Sequence, residues 1–279
     1  ASGIAVDAAD NVVVADEFNH RIQVFTSSGV FVRAFGSQGD AEGQFSAPHG
    51  VAVDDDGNIY VADEGNNRIQ KFSGTGTFIT AWGSSGSGDG QMVFPGDVAV
   101  AGGTVYVSDA GNSRIQVFST AGAFLAKWGG PGTADGQLSN PQGVAIDGAG
   151  RVCVADAGNT RIQVFTAAGA FVAKWGAPGA GDGEFFGPYG LSLDQGGNVY
   201  VSDIYNNRIQ VFSSTGTFLT GWGSGGSGDG EFSSPWDVAV DGTGYVYVAD
   251  ALNNRVQKFG IPPTPTRKSS WGELKARYR

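Results

Sequence analysis

The sequence predicts an all-β fold, a six-bladed β-propeller of four-stranded antiparallel blades. Two observations carry this. A tetrad of Arg, Ile or Val, Gln, then Val or Lys recurs with its arginine at Arg21, Arg68, Arg114, Arg161, Arg208 and Arg255, at spacings of 47, 46, 47, 47 and 47 residues. In addition, 47 Gly and 10 Pro, about a fifth of the 279 residues, punctuate short runs rich in β-branched and aromatic side chains. Helices tolerate that much glycine poorly, which removes bundles and coiled coils.

The second unit shows each element in order. Pro48-His49-Gly50-Val51-Ala52-Val53-Asp54 reads as a first strand, small and apolar, suited to the crowded axis. Gly57-Asn58-Ile59-Tyr60-Val61-Ala62-Asp63 reads as the second and Asn67-Arg68-Ile69-Gln70-Lys71-Phe72 as the third. Gly76-Thr77-Phe78-Ile79-Thr80-Ala81-Trp82-Gly83 closes the unit. Its tryptophan returns as Trp128, Trp175 and Trp222, with Phe35 in the first copy, and suits the periphery, where a large ring packs between blades. One such meander cannot bury both faces, but six arranged around an axis cover one another.

The ends are less regular. The first unit opens inside a first strand at Gly3-Ile4-Ala5-Val6, and the sixth reaches Phe259 and then Pro262-Pro263-Thr264-Pro265. Residues 1–260 are expected to form the propeller, and 261–279 a Pro-rich linker with a short basic tail. The fourth strand of blade 6 is expected either from upstream of Ala1 or not at all. Alternatives for the tail are a degenerate outer strand around Trp271-Gly272 and a short helix capped by Ser270 and Glu273.

The recurring Pro-x-Gly-Val-Ala-Val-Asp, Gly-Asn-Val-Tyr-Val-Ala-Asp, Asn-x-Arg-Ile-Gln-Val-Phe and Gly-x-Phe-x-x-x-Trp-Gly segments resemble the NHL repeat, over 260 of 279 residues, about 93% of the chain. The resemblance implies the six-bladed propeller. It does not imply one function, since members of the family serve as RNA readers, protein-binding platforms, extracytoplasmic sensor domains and, in one branch, lyases.

Composition and charge narrow the classes. The single Cys153 rules out a disulfide scaffold, and no apolar run is long enough to span a membrane. The last fifteen residues hold five basic side chains and one acidic, which leaves 12 positive and 26 negative on the other 264, a net of −14. An acidic body repels a phosphate backbone, so no nucleic-acid partner is expected. The repeated Asp16, Asp63, Asp109, Asp156, Asp203 and Asp250, each five residues before an arginine, read as architecture, a carboxylate closing a turn and paired with the arginine. Asp54-Asp55-Asp56-Gly57-Asn58 lacks the spacing of an EF-hand and is at most a weak Ca²⁺ turn. The Gly-rich connections have no following helix or Lys-Ser/Thr and are linkers rather than phosphate cradles.

An enzyme is the less favoured reading. The lyase branch holds zinc with histidines, whereas this chain has only His20 and His49. Cys153 reads as a small buried hydrophobe. No metal site, catalytic residue or cofactor is expected, although a metal-dependent lyase or hydrolase with its site in the axial channel is the alternative.

Function is sought where the copies differ. In the Pro-x turns, x is His49, Gly96, Gln142, Tyr189 and Trp236, and the loops after the repeated aspartate carry Glu17-Phe18, Glu64-Gly65, Ala110-Gly111, Ala157-Gly158, Ile204-Tyr205 and Ala251-Leu252. Alternate connections of a meander share a side. Phe18, His20, His49, Tyr189, Tyr205, Trp236 and Leu252, with Ile204, are therefore expected on one face as a ligand-binding patch, while blades 3 and 4 stay blank. The expected role is a non-catalytic binding or scaffold module of bacterial type, extracellular or periplasmic. Its partner would be a protein, peptide or glycan at the aromatic loop face.

Overall fold

The computed structural model describes residues 1–260. Twenty-three strands form six antiparallel sheets, five of them four-stranded. Each sheet is a meander in sequence order, and blade 2 is typical, with strands Pro48–Val53, Ile59–Asp63, Arg68–Phe72 and Phe78–Trp82. Blade 6 has three strands among the described residues, Pro235–Val240, Val246–Asp250 and Arg255–Phe259. The expectations for the tail fall outside the described residues.

Inner strands touch their neighbours around the whole circle, and Ile4–Val6 packs on Pro235–Val240 to close it. The second strands are the driest, with every residue of Ile59–Asp63, Val152–Asp156 and Val246–Asp250 buried. Core side chains cluster between blades. One cluster joins Val13, Ile22 and Val24 of blade 1 to Val51, Val61 and Phe72 of blade 2. The outer-strand rings reach the following blade, Trp82 lying 5.9 Å from Phe118 and Trp128 4.5 Å from Phe165. A hairpin glycine of the following blade admits Phe35, Trp82, Trp128 and Trp175. At Gly169, with φ +84°, an added Cβ would lie 2.2 Å from Trp128.

The repeated polar residues hold the connections. In blade 2, Asp63 and Arg68 face each other in register across the second and third strands. Asp63 Oδ2 accepts from Arg68 Nε at 2.7 Å, Asn66 Nδ2 at 2.9 Å and Gln70 Nε2 at 3.0 Å, and Oδ1 accepts from the Ser46 amide at 2.8 Å. Arg68 donates its remaining N–H groups to the carbonyls of Asp40, Ala41 and Gln44. In blades 2 to 6 the Asp–Arg pair thus pins the glycine-rich segment arriving from the preceding blade. Asp54 serves a turn in the same way, accepting from Asn58, the Asp56 amide and the Tyr60 hydroxyl.

Candidate functional site

Each blade sends one Pro-x position, or its equivalent Ser2, to the mouth of the axial channel, so that Ser2, His49, Gly96, Gln142, Tyr189 and Trp236 form a ring. Three of these side chains meet over the axis. The Tyr189 hydroxyl lies 3.3 Å from His49 Nε2, and His49 Nδ1 lies 2.8 Å from the Gly96 carbonyl. A carbonyl can only accept, so Nδ1 carries a proton, and in the neutral ring Nε2 accepts from the tyrosine. Trp236 stacks at 5.6 Å from His49 and 6.2 Å from Tyr189. His49 and Tyr189 belong to blades on opposite sides of the ring, so together with Trp236 they stopper the channel. Burial pushes the Tyr189 pKa up, with Glu64 and Glu17 adding to the shift, which keeps the hydroxyl a donor.

Below the stopper, four blades place glycine, Gly3, Gly50, Gly143 and Gly190, where blades 3 and 6 place Asp97 and Asp237. Each carboxylate bridges to the next blade. Asp97 accepts from the amides of Val98 at 2.8 Å and Val144 at 2.9 Å, and Asp237 from Val238 at 2.8 Å and Ile4 at 2.9 Å. The glycines make room, since a Cβ on Gly50 or Gly190 would lie 2.2 Å from the neighbouring carboxylate oxygen. Burial raises both carboxyls above the ordinary aspartate range, Asp97 to about 7, and the charge of Asp97 raises Asp237 further. The cavity left among these residues is about 10 Å³, about the least that holds one water.

Around the stopper the loop tips form a rim. Phe18 is 67% exposed and leans on Trp236 at 6.3 Å. Tyr205 is 65% exposed and pairs with the exposed Phe186 at 5.5 Å. Leu252 is exposed on the blade 6 loop. Two of the expected residues have other tasks. Ile204 is buried beneath Gly187. His20 accepts the Ala47 amide at Nδ1, 3.1 Å, the same inter-blade bond that Asn67 makes to Phe94 and Asn207 to Ser234. The structure therefore brings Phe18, His49, Tyr189 and Trp236 into contact, holds Tyr205 and Leu252 at the rim, and gives His20 a stapling role.

Sequence reasoning passed over Glu17, Glu64, Asp97, Asp237, Phe94 and Phe186. Glu17 and Glu64 hold the same loop position in blades 1 and 2, and the charges of both act on Tyr189. Glu17 Oε2 is shut off from solvent with no hydrogen-bond partner among the described residues. Burial raises the Glu17 carboxyl above the usual glutamate range, His49 works against that shift, and Glu64 adds to it. Aligning the one or two residues before each Pro-x turn would have found Phe94 and Phe186, because the other copies carry Ala47, Asn140, Gly187 and Ser234 at the position of Phe94, and Ser46, Val93, Ser139 and Ser233 at the position of Phe186.

Cys153 is buried in a second strand, and burial pushes its thiol up to about 12. A cavity of about 1030 Å³ lies elsewhere, between the open edge of blade 6 and blade 1, and Trp222, Val256, Lys258, Phe25 and Arg21 line part of it.

Comparison with known proteins gives three kinds of likeness. A family model described as the NHL repeat matches residues 1–25, 45–72, 92–118, 138–165, 187–212 and 232–259. Protein brain tumor of Drosophila melanogaster is 44% identical over 48 residues, 17% of this chain and only 5% of that relative's length. Among solved structures, a streptogramin B lyase superposes with a TM-score of 0.64 at 16% identity, over 94% of this chain and 83% of that one. The nidogen/laminin complex gives 0.63 at 20% identity, over 79% and 78%. At these identities the structural matches speak for the fold alone.

Proposed function

Because the chain belongs to the NHL repeat family, we propose that it is a non-catalytic binding module that holds a protein, peptide or glycan partner on the face around the channel mouth. The observation that carries this is the rim itself. Phe18, Tyr205 and Leu252 stand more than half exposed on blades 1, 5 and 6, while the same loops of blades 3 and 4 end in Ala110-Gly111 and Ala157-Gly158. Exposed rings gathered beside a rigid, buried aromatic stopper make a contact surface, since large amphipathic side chains on a fixed scaffold lose little entropy on binding. The six-fold polar residues serve architecture in every blade, so a partner reads the departures from symmetry. The low cysteine and acidic composition support a setting outside the cytoplasm, extracellular or periplasmic, which subcellular fractionation tests.

The alternative, a metal-dependent lyase or hydrolase in the axial channel, has less to rest on. Asp97 and Asp237 each already accept two backbone amides, the space beside them is about 10 Å³, and one of the two histidines staples blades together. That donor set does not fit a catalytic metal, and no step is derived through one.

Peptide and glycan arrays probed with the chain and with its Phe18→Ala, Tyr205→Ala double variant test the proposal. Both side chains are exposed, so the fold tolerates their loss. At least a tenfold loss of signal is expected, and undiminished binding would move the contact surface to another face.

A further inference from the structure

The mouth sets aromatic faces beside carboxylates. Its rings offer π faces to the rim, where Phe18 lies against Trp236, and Trp236 against His49. Its carboxylates, Glu17 and Glu64, hold the same loop position in adjacent blades, and the charges of both act on Tyr189. Neither makes an ion pair with a lysine or arginine side chain among the described residues, in contrast to the repeated aspartates, each of which has its own arginine. The groups facing Glu17 are His49, Glu64 and the Ala1 amine. Beneath the stopper lie two further carboxyls, Asp97 and Asp237. The Glu17 Oε2 atom, shut off from solvent without a donor among the described residues, costs free energy until the loop yields it one. An aromatic face beside it attracts a cation, and a guanidinium above all, because its planar fork both stacks and donates.

We propose that the mouth is a cation-reading site, which takes an arginine or lysine side chain presented by a partner polypeptide, with the charged head on Glu17 and Glu64 and the alkyl stem along Phe18 and Trp236. This rests on the reading of the mouth face as a contact surface and narrows it to a basic polypeptide. The rest of the molecule agrees in sign, since the chain carries a net charge of −10, which steers a basic segment toward it and leaves the mouth to fix where it lands.

Acetylated hexa-arginine amide and its hexa-citrulline counterpart, titrated calorimetrically into the whole chain at about 0.15 M salt, test the site. Citrulline keeps the shape, exchanges one terminal amino group of the guanidinium for a carbonyl oxygen, and removes the charge. Hexa-arginine is expected to bind at least tenfold more tightly than hexa-citrulline. Glu17→Gln with Glu64→Gln is expected to remove at least tenfold of that affinity, and so is Phe18→Ala alone. Asp55→Asn with Asp56→Asn changes the net charge equally on the opposite face, in an exposed turn, and is expected to cost less than twofold. Circular dichroism and the thermal midpoint establish that each variant is folded. Equal losses from the two charge-neutral pairs would reduce the effect to overall charge and overturn the site. So would equal binding of both peptides, or no binding of hexa-arginine. If array ligands still bind in a Phe18- and Tyr205-dependent way in those cases, the contact-surface reading survives without the cation. If nothing binds the mouth, both fail.

Discussion

At the scale of single residues, burial and partners decide what each polar group is worth. Asp109 is fully buried and accepts from Arg114, Asn112, Gln116 and the Val93 amide. Removing one member of a buried ion pair leaves the other uncompensated, so Asp109→Ala is expected to cost about 3–5 kcal/mol. Asp16 accepts likewise from Arg21, Asn19 and Gln23 but, among the described residues, from no backbone amide, and that arginine's side chain is 42% exposed, so Asp16→Ala is expected to cost about 1 kcal/mol, as for solvated pairs. Urea unfolding midpoints of the two variants check the order, and equal costs would contradict it. Gly50→Ala drives a Cβ to 2.2 Å from Asp97 Oδ1, whereas Gly148 has nothing within 4 Å and no positive φ. The first is expected to destabilise by about 1–3 kcal/mol and the second to be neutral or slightly stabilising.

The roles of the repeated aspartates were legible in the sequence, because six copies of one spacing point to one shared task. Asp97 and Asp237 were not. A Gly-to-Asp change in a Pro-x-Gly turn looks like ordinary turn chemistry, and only the ring's curvature turns that Cβ toward the next blade's amides. His20 and His49 look alike in sequence but differ in space. The position of His20 aligns with Asn67 and Asn207, and that alignment already contained its stapling task.

At the scale of elements, the five complete blades followed from hydrophobic alternation and turn residues, while the sixth could not be resolved by pattern. Arg255–Phe259 is the edge of a three-stranded sheet among the described residues, and every residue of it is half-buried where Arg161–Phe165 is buried throughout. The Lys258 ammonium sits 4.0 Å from the Tyr245 ring centroid, a charge on an open edge of the kind that discourages pairing with stray strands. Backbone amides on that edge are therefore expected to exchange with deuterium at least tenfold faster than those of Arg161–Phe165. Equal protection would mean that the edge is covered.

At the scale of the whole molecule, closure and charge are coupled. Asp97 bridges blades 3 and 4, and Asp237 bridges blades 6 and 1 at the ring's seam. Both carboxyls titrate above their unfolded value of about 3.8, mainly because they are buried. Between that value and the raised folded one, the native state binds more protons than the unfolded state, so the contribution of these two groups to stability is greatest at low pH and is lost as pH rises through about 4 to 7 and beyond. The loss is expected to be shallower in Asp97→Asn with Asp237→Asn, by up to about 1.4 kcal/mol per pH unit for each group. Urea unfolding at pH 5, 6, 7 and 8 measures it, and identical slopes in the two proteins would contradict this assignment.

The central claim is that a nearly symmetric ring binds through the few loops that break its symmetry. Its most direct test is hydrogen–deuterium exchange on the chain bound to the tightest peptide selected from a random library. Protection is expected at residues 17–20, 64–66, 204–206 and 251–253, with none in the opposite turns at 54–57 and 147–150. Protection confined to those opposite turns, or to the edge at 255–259, would contradict it.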